Sequence, residues 1–430
     1  MKGLRQIAHL ISRVADALAS PPRIGFACAA SPTEILVAIR WLLAARASES
    51  GRAVLAYERD WSTYLSMPHA VSFGSGRLSL FAILKGLNVG SGDEVIVPGF
   101  TCVVVPNAVL YTGARPVFAD IERRSLNSSL REIEARISSR TKAFILSHNF
   151  GIPGDVEGAQ KLSERYGIPL IEDCAHALGA RYKGHRVGTF GTAAFFSTEE
   201  SKVISTVRGG LAATNNDALG AWLRDFQARC PRPSTAEVRR ILVQHVSRRL
   251  LSGPRLYRLG LVLRAYLEDR GLVREATRAE ELVSVRPADY EARLSDAQAE
   301  LGRLQLARLD ALNAVRRANA AALERVCAEI GVETIEAPAD TEPVFLRFPV
   351  RVGNKAQALS AGLCPRVEIG NWFESVTHPG SASRRHAGYE DGACPIGEAA
   401  AAHVVNLPTH RALRGRALED VRRVLFRVCA

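Results

Sequence analysis

The chain has 430 residues, 47% of them apolar and 23% charged, with a formal net charge of +12. That composition is ordinary for a globular enzyme with room for two domains. No apolar run approaches the roughly 20 residues that a membrane-spanning helix needs, which excludes that class, and the positive charge suits an anionic substrate, a membrane surface or nucleic acid without selecting among them.

Residues 1–55 read as a helical extension broken at Pro21-Pro22. In its first twenty residues Leu4, Ile7, Ile11, Val14 and Leu18 recur at helical spacing, with Arg5, His9, Arg13 and Asp16 between them. A secretory segment would be continuously apolar, so an amphipathic helix is expected instead. Residues 56–294 read as a large domain. The runs HAVSF, DEVIVP, RPVFAD, KAFILSH, IPLIED and AAFFS alternate with helix-period segments such as GRLSLFAILKGL. This alternation predicts an α/β domain with a mostly parallel sheet flanked by helices on both faces. Ligands of such sheets bind at the carboxyl ends of strands. Ser75 and Gly76, Phe100 and Thr101, Asp173, and Ser197 all fall there.

Residues 216–285 interrupt the pattern as an Arg-rich helical insert. Seven arginines and no acid occupy Val238–Tyr266, with Ile241, Leu242, Val246, Leu250 and Leu251 among them. Such a mix fits a solvated helix pair at a dimer contact, or, as the less favoured alternative, a membrane-surface helix. Residues 295–326 read as one long amphipathic helix with a stripe of Leu301, Leu304, Leu309, Leu312 and Val315, opening a smaller C-terminal α+β domain over 295–430. Eight cysteines are scattered singly without zinc spacing. They read as small core residues of a protein in a reducing compartment, expected to be the cytoplasm.

The chemistry concentrates at the strand ends. Gly74, Ser75 and Gly76 form a strand-to-helix turn whose backbone N–H groups could bind an anion, although many such turns bind nothing. Asp173 could pair with a pyridinium nitrogen, or form a turn or cap a helix starting near Ala175. His176 could contact a ring hydroxyl or be an ordinary half-buried histidine. Lys202, in AFFSTEESKVISTVRGG, follows a strand and precedes Gly209-Gly210, where a ligand or a close chain crossing would fit. Ser197 and Ser201 could donate to phosphate or cap a turn. A lysine that forms an imine and an aspartate that keeps a ring nitrogen protonated are together what pyridoxal phosphate requires.

In this order the segments resemble the DegT/DnrJ/StrS family of pyridoxal-phosphate-dependent sugar aminotransferases. The resemblance runs from about Tyr57 to Leu413. It is carried by FGSGRLSL, DEVIVPGFTCVVVPNAVLYTGARPVFADI, HNFGIPGD, IEDCAHALGA, FFSTEESK, AQAELGRLQLARLD and CPIGEAAAAHVVNLPTH. It implies an aspartate-aminotransferase-like (type I) fold and a ping-pong transfer from an amino acid, with glutamate as expected donor, to a keto group of a sugar, expected to be nucleotide-linked. It assigns Lys202 as the imine-forming catalytic residue. Asp173 would face the pyridine nitrogen and His176 the ring hydroxyl. Gly76 and Arg77 would offer backbone amides to the phosphate of pyridoxal 5'-phosphate, and Ser197 its hydroxyl. Cys102 stands at the usual aromatic stacking position, which Phe100 could serve instead. Arg208 and Glu291 also depart from the family pattern, the latter where an Asn usually reaches a neighbouring subunit. Relatives that are sugar dehydratases carry His in place of the lysine, so Lys202 favours amino transfer. A homodimer with shared active sites is implied, with no nucleic-acid partner. A lipid-linked substrate and a non-catalytic relative are the alternatives. Substrate identity would be set by Trp372, Phe373, His378 and the insert.

Overall fold

The computed structural model describes residues 2–26, 31–44, 50–270, 277–360, 366–380 and 383–429. All six apolar runs form strands: β1 His69–Phe73, β2 Glu94–Pro98, β3 Arg115–Ala119, β4 Thr141–Ser147, β5 Leu170–Asp173 and β6 Ala193–Ser197. A seventh, β7 Gly210–Thr214, was not legible in GLAAT, where glycine and alanine mask any strand pattern. The sheet order is β1-β7-β6-β5-β4-β2-β3. Only β7 runs antiparallel to its neighbours, and every other pair is parallel. The carboxyl ends of β1 to β6 and the amino end of β7 therefore lie along one edge.

Alternate side chains separate to the two faces, as a two-residue period requires. Phe144 and Leu146 of β4 join Trp61, Ile96 and Phe196 on one face. Ala143 and Ile145 join Phe73, Leu80, Val95 and Phe195 on the other. The C-terminal region has its own core. Arg347–Arg351 pairs antiparallel with Val404–Pro408, and Phe348, Val350, Val405 and Leu407 pack with Leu323 and Val421.

The helix expected over 295–326 is two helices, Asp296–Leu306 and Leu309–Glu329. They meet at Arg308, whose backbone leaves the helical region (φ −114°, ψ 7°) and whose guanidinium turns to Glu34. The halves answer to different partners. Leu301 packs with Ala38 and Val238, whereas Leu323 belongs to the C-terminal core. Val315, placed on the apolar stripe by sequence, is exposed.

The insert folds into Asp217–Arg229, Thr235–Leu251 and Tyr257–Glu268. The N-terminal extension holds it down: Lys2–Ala19 lies against Tyr257–Glu268, and Pro32–Leu43 against Thr235–Leu251. Three of its arginines turn inward. Arg249 pairs with buried Glu34 at 2.9 Å, and Arg248 and Arg264 share Glu200. Those three consequently face the protein interior rather than a lipid surface. No helix among the described residues is long and apolar enough to cross a membrane.

Candidate active site

At the end of β1, Ser75 caps helix Gly76–Gly86, its Oγ accepting the Leu78 N–H at 3.2 Å. Two chains cross tightly here. A Cβ on Gly76 would lie 3.0 Å from Ser197 Cβ and 3.1 Å from the Phe196 carbonyl oxygen. A Cβ on Gly210 would fall 2.3 Å from Gly76 N, so Gly210 serves a chain crossing. The result is a helix N-terminus with Ser197 beside it, an arrangement that can hold an anion. The Arg77 guanidinium is turned away onto buried Glu281, and its carbonyl accepts the Tyr290 hydroxyl at 3.0 Å.

Asp173 ends β5. One of its oxygens accepts the Ala175 N–H at 3.0 Å, and no donor among the described residues reaches the other. The segment that follows is a turn, not the helix considered from sequence. Burial raises the Asp173 pKa, with the Ala175 N–H, Lys202 and His148 opposing. A cation placed against this carboxylate would relieve that burial cost. Behind it, buried Glu172 accepts N–H groups from Gly188, Phe190 and Gly191 at 2.7–2.8 Å and lies 3.1 Å from His148 Nε2. That bonding fixes the strand end from which Asp173 projects.

His176 is buried, with its ring stacked on Trp372 at 5.0 Å between centroids. Its Nδ1 accepts the Phe150 N–H at 3.3 Å, so Nε2 carries the proton and is free to donate. Burial, reinforced by Lys202 and Arg347, keeps the ring neutral far below its ordinary pKa.

Lys202 follows β6. Its Nζ sits 4.8 Å above the Trp372 ring centroid, and among the described residues no carboxylate lies within ion-pair distance of it. Burial lowers its pKa, while Glu199, Cys102 and Asp173 oppose the shift. Burial thus shifts this lysine toward its neutral, nucleophilic form. Glu199 is ionised below the usual carboxylate range: burial works against it, but Lys202, Ser201 and Arg248 prevail. Ser201 is committed to Glu199, donating through Oγ at 2.6 Å.

One cavity of about 430 Å³ brings together Gly76, Arg77, Cys102, Asp173, His176, Ser197 and Lys202. Trp372, Phe373 and His378 also line it, as do Gln244, Arg248 and Arg264 of the insert. Phe100 does not serve the stacking role considered for it. It is fully buried, 4.9 Å from Phe373, in the C-terminal core. Glu291 lies outside the cavity and is neutralised by Arg286. Arg208 lines the cavity and pairs with Glu237 at 3.3 Å.

Sequence reasoning missed Arg347 and Glu199. Arg347 lies 3.3 Å from the Trp372 ring centroid and 4.1 Å from that of Phe26. Its Nε is buried without a hydrogen-bond partner. Burial lowers its pKa to about 9, against Glu368 and Glu199. The available signal was a lone arginine inside the apolar run VFLRFPV, since buried arginines are rare unless paired.

The full length of the chain can be compared on this basis. Residues 31–426 match the pattern of the DegT/DnrJ/EryC1/StrS aminotransferase family. The chain belongs to that family. Its DegT/DnrJ/EryC1/StrS relatives include the L-glutamine:2-deoxy-scyllo-inosose aminotransferase of Streptomyces fradiae, 32% identical over 70% of this chain and 63% of that protein. Another is the UDP-N-acetyl-3-dehydro-alpha-D-glucosamine 3-aminotransferase of Acidithiobacillus ferrooxidans, 29% identical over 92% of this chain and 93% of that one. The crystal structure of S. venezuelae DesV in complex with a ketimine intermediate superposes with a TM-score of 0.71 at 27% identity. It covers 92% of this chain and 94% of its own. The type I fold that the family resemblance implied is the fold of these aminotransferases.

Proposed function

We propose that this aminotransferase uses pyridoxal 5'-phosphate to move an amino group from an amino acid, with glutamate as the expected donor, to a keto group of a phosphate-bearing sugar. The observation that carries this reading is one cavity that holds Lys202, whose pKa burial lowers, together with the Asp173 carboxylate, neither of them ion-paired among the described residues. The site fits the cofactor at three points. The Gly76 turn and Ser197 would hold its phosphate, Asp173 its ring nitrogen, and His176 its hydroxyl through Nε2–H.

When bound, the cofactor supplies an aldehyde that carries the amino group between substrates and a ring that accepts the electron pair left by a lost proton. Lys202 would take the proton from the donor's Cα and return it on the opposite side of the exchange, acting as general base and then acid. Asp173 stays ionised against the ring nitrogen. Arg347, a buried cation without an ion-paired carboxylate among the described residues, would receive the donor's carboxylate. The keto acid leaves before the ketone enters, because both need this one cavity. The names of the relatives support a keto-sugar or cyclitol acceptor, and the arginines lining the cavity, Arg208, Arg248 and Arg264, support a phosphate on it. A nucleotide and a lipid both supply such a phosphate. A homodimer in the cytoplasm completes the reading: the dimer follows from the family resemblance, and the free thiols of Cys102, Cys174, Cys230, Cys327 and Cys394 suit a reducing compartment.

Purified protein loaded with pyridoxal phosphate should be yellow, and glutamate should move its visible band. Lys202→Ala should lose the band and slow the donor half-reaction by roughly 10²–10⁴-fold. A wild-type protein that stays colourless with added pyridoxal phosphate overturns the reading.

A further inference from the structure

A second cavity of about 320 Å³ shares Glu200, Gln244, Arg248 and Arg264 with the catalytic one. Beyond that common wall its lining turns apolar: Leu251, Tyr257, Leu261, Leu263, Tyr266 and Leu267. Both of the helices that build it, Thr235–Leu251 and Tyr257–Glu268, belong to the insert. Tyr257–Glu268 leaves its leucines half-buried, with Leu261 exposed, so no residue of this helix is sealed in a core. The helix is not loosely attached: the Tyr257 hydroxyl donates to Glu368 at 2.6 Å, and Lys2–Ala19 packs against it.

The junction between the two compartments is lined by arginine, and Arg264 also pairs with Glu268 at 2.6 Å. Two guanidinium groups, Arg248 and Arg264, converge on the one carboxylate of Glu200, with the Gln244 amide on the same group. A molecule with its ketone at Lys202 and a phosphate at these arginines would direct whatever follows the phosphate into the leucine-lined space. A nucleoside there would surrender hydrogen bonds to water without replacement, at a cost. A hydrocarbon chain would gain by leaving water.

We infer that the insert forms a tail compartment, and that the acceptor is a keto sugar whose phosphate carries an alkyl or polyprenyl chain. This rests on the aminotransferase reading for the position of the ketone, but the compartment is tested by binding alone. Ethyl, butyl, hexyl, octyl and decyl phosphate, each below its micelle threshold, are titrated calorimetrically into the holoenzyme beside UMP. Affinity should rise about threefold per added methylene, and decyl phosphate should bind tighter than UMP. Leu263→Gln should flatten the chain-length series, with its visible band confirming that the variant is folded and loaded. A series without chain-length dependence, or UMP binding tighter than decyl phosphate, overturns the inference. So does a Leu263→Gln protein that keeps the series and loses only self-association, since a second copy would then cover the leucines. If no band forms with pyridoxal phosphate, the aminotransferase reading fails, and the alkyl series still reports on the compartment.

Discussion

Lys202 and Arg347 are both basic groups held in the catalytic cavity without an ion-paired carboxylate among the described residues, and burial lowers the pKa of each. Their surroundings give them different work. Lys202 has Glu199, Cys102 and Asp173 around it, which oppose the lowering by burial. Arg347 remains charged at neutral pH because even its lowered value, about 9, is well above 7. A charged group buried with an unsatisfied Nε waits for an anion. Arg347→Gln should therefore raise KM for the amino donor about 10- to 100-fold, the range of a hydrogen bond to a charged group. The visible band and the acceptor KM should change far less. Steady-state kinetics with each substrate varied in turn would check this, and an unchanged donor KM would remove Arg347 from the donor's site. Lys202, Asp173 and His176 were legible from sequence because each follows a recognisable strand. Arg347 was not, since its partners Trp372 and Phe26 come from distant segments.

At the level of elements, the N-terminal extension and the insert act as one unit tied through Glu34. This carboxylate is fully buried. It receives Arg249 at 2.9 Å and Arg308, and its own helix start is closed by a capping box with Ser31. Removing one member of a buried charge cluster strands the others, at a cost of about 3–5 kcal/mol. Glu34→Ala should lower the urea midpoint by that measure and expose the arginines of Thr235–Leu251 to trypsin. Equal digestion rates for variant and wild type would show that the insert is held by other contacts. None of this was readable beforehand. The segments are over 200 residues apart, and a charge-rich helix looks solvated until its partner is known.

For the whole molecule, buried neutral histidines set the response to acid. Burial holds His245 at about 3 and His410 at about 4, against an ordinary 6.5, and His176 is shifted the same way. Their folded values lie below the unfolded one, so the unfolded chain takes up protons first as pH falls. Stability is fully present above about pH 6.5 and is lost as pH drops toward 4. Each residue contributes a slope of up to about 1.4 kcal/mol per pH unit. Urea midpoints measured from pH 7 to pH 5 should fall accordingly, and His245→Gln should reduce the slope. A midpoint independent of pH over that range would show that these rings protonate in the folded protein.

Local pattern was enough for the strand-and-helix alternation, an α/β domain with a mostly parallel sheet, and the small set of residues at strand ends that could hold a phosphate, a ring nitrogen and an imine-forming lysine. Those features depend on periodicity and on what lies within a few residues, which a sequence displays directly. Tertiary structure alone decided the rest: the antiparallel β7 crossing over Gly76, the break at Arg308, the burial of Phe100 away from the cavity, and the arginines of the insert turning inward to join the catalytic wall. Each of these depends on which distant surfaces meet, and burial, charge pairing and close approach exist only once they do.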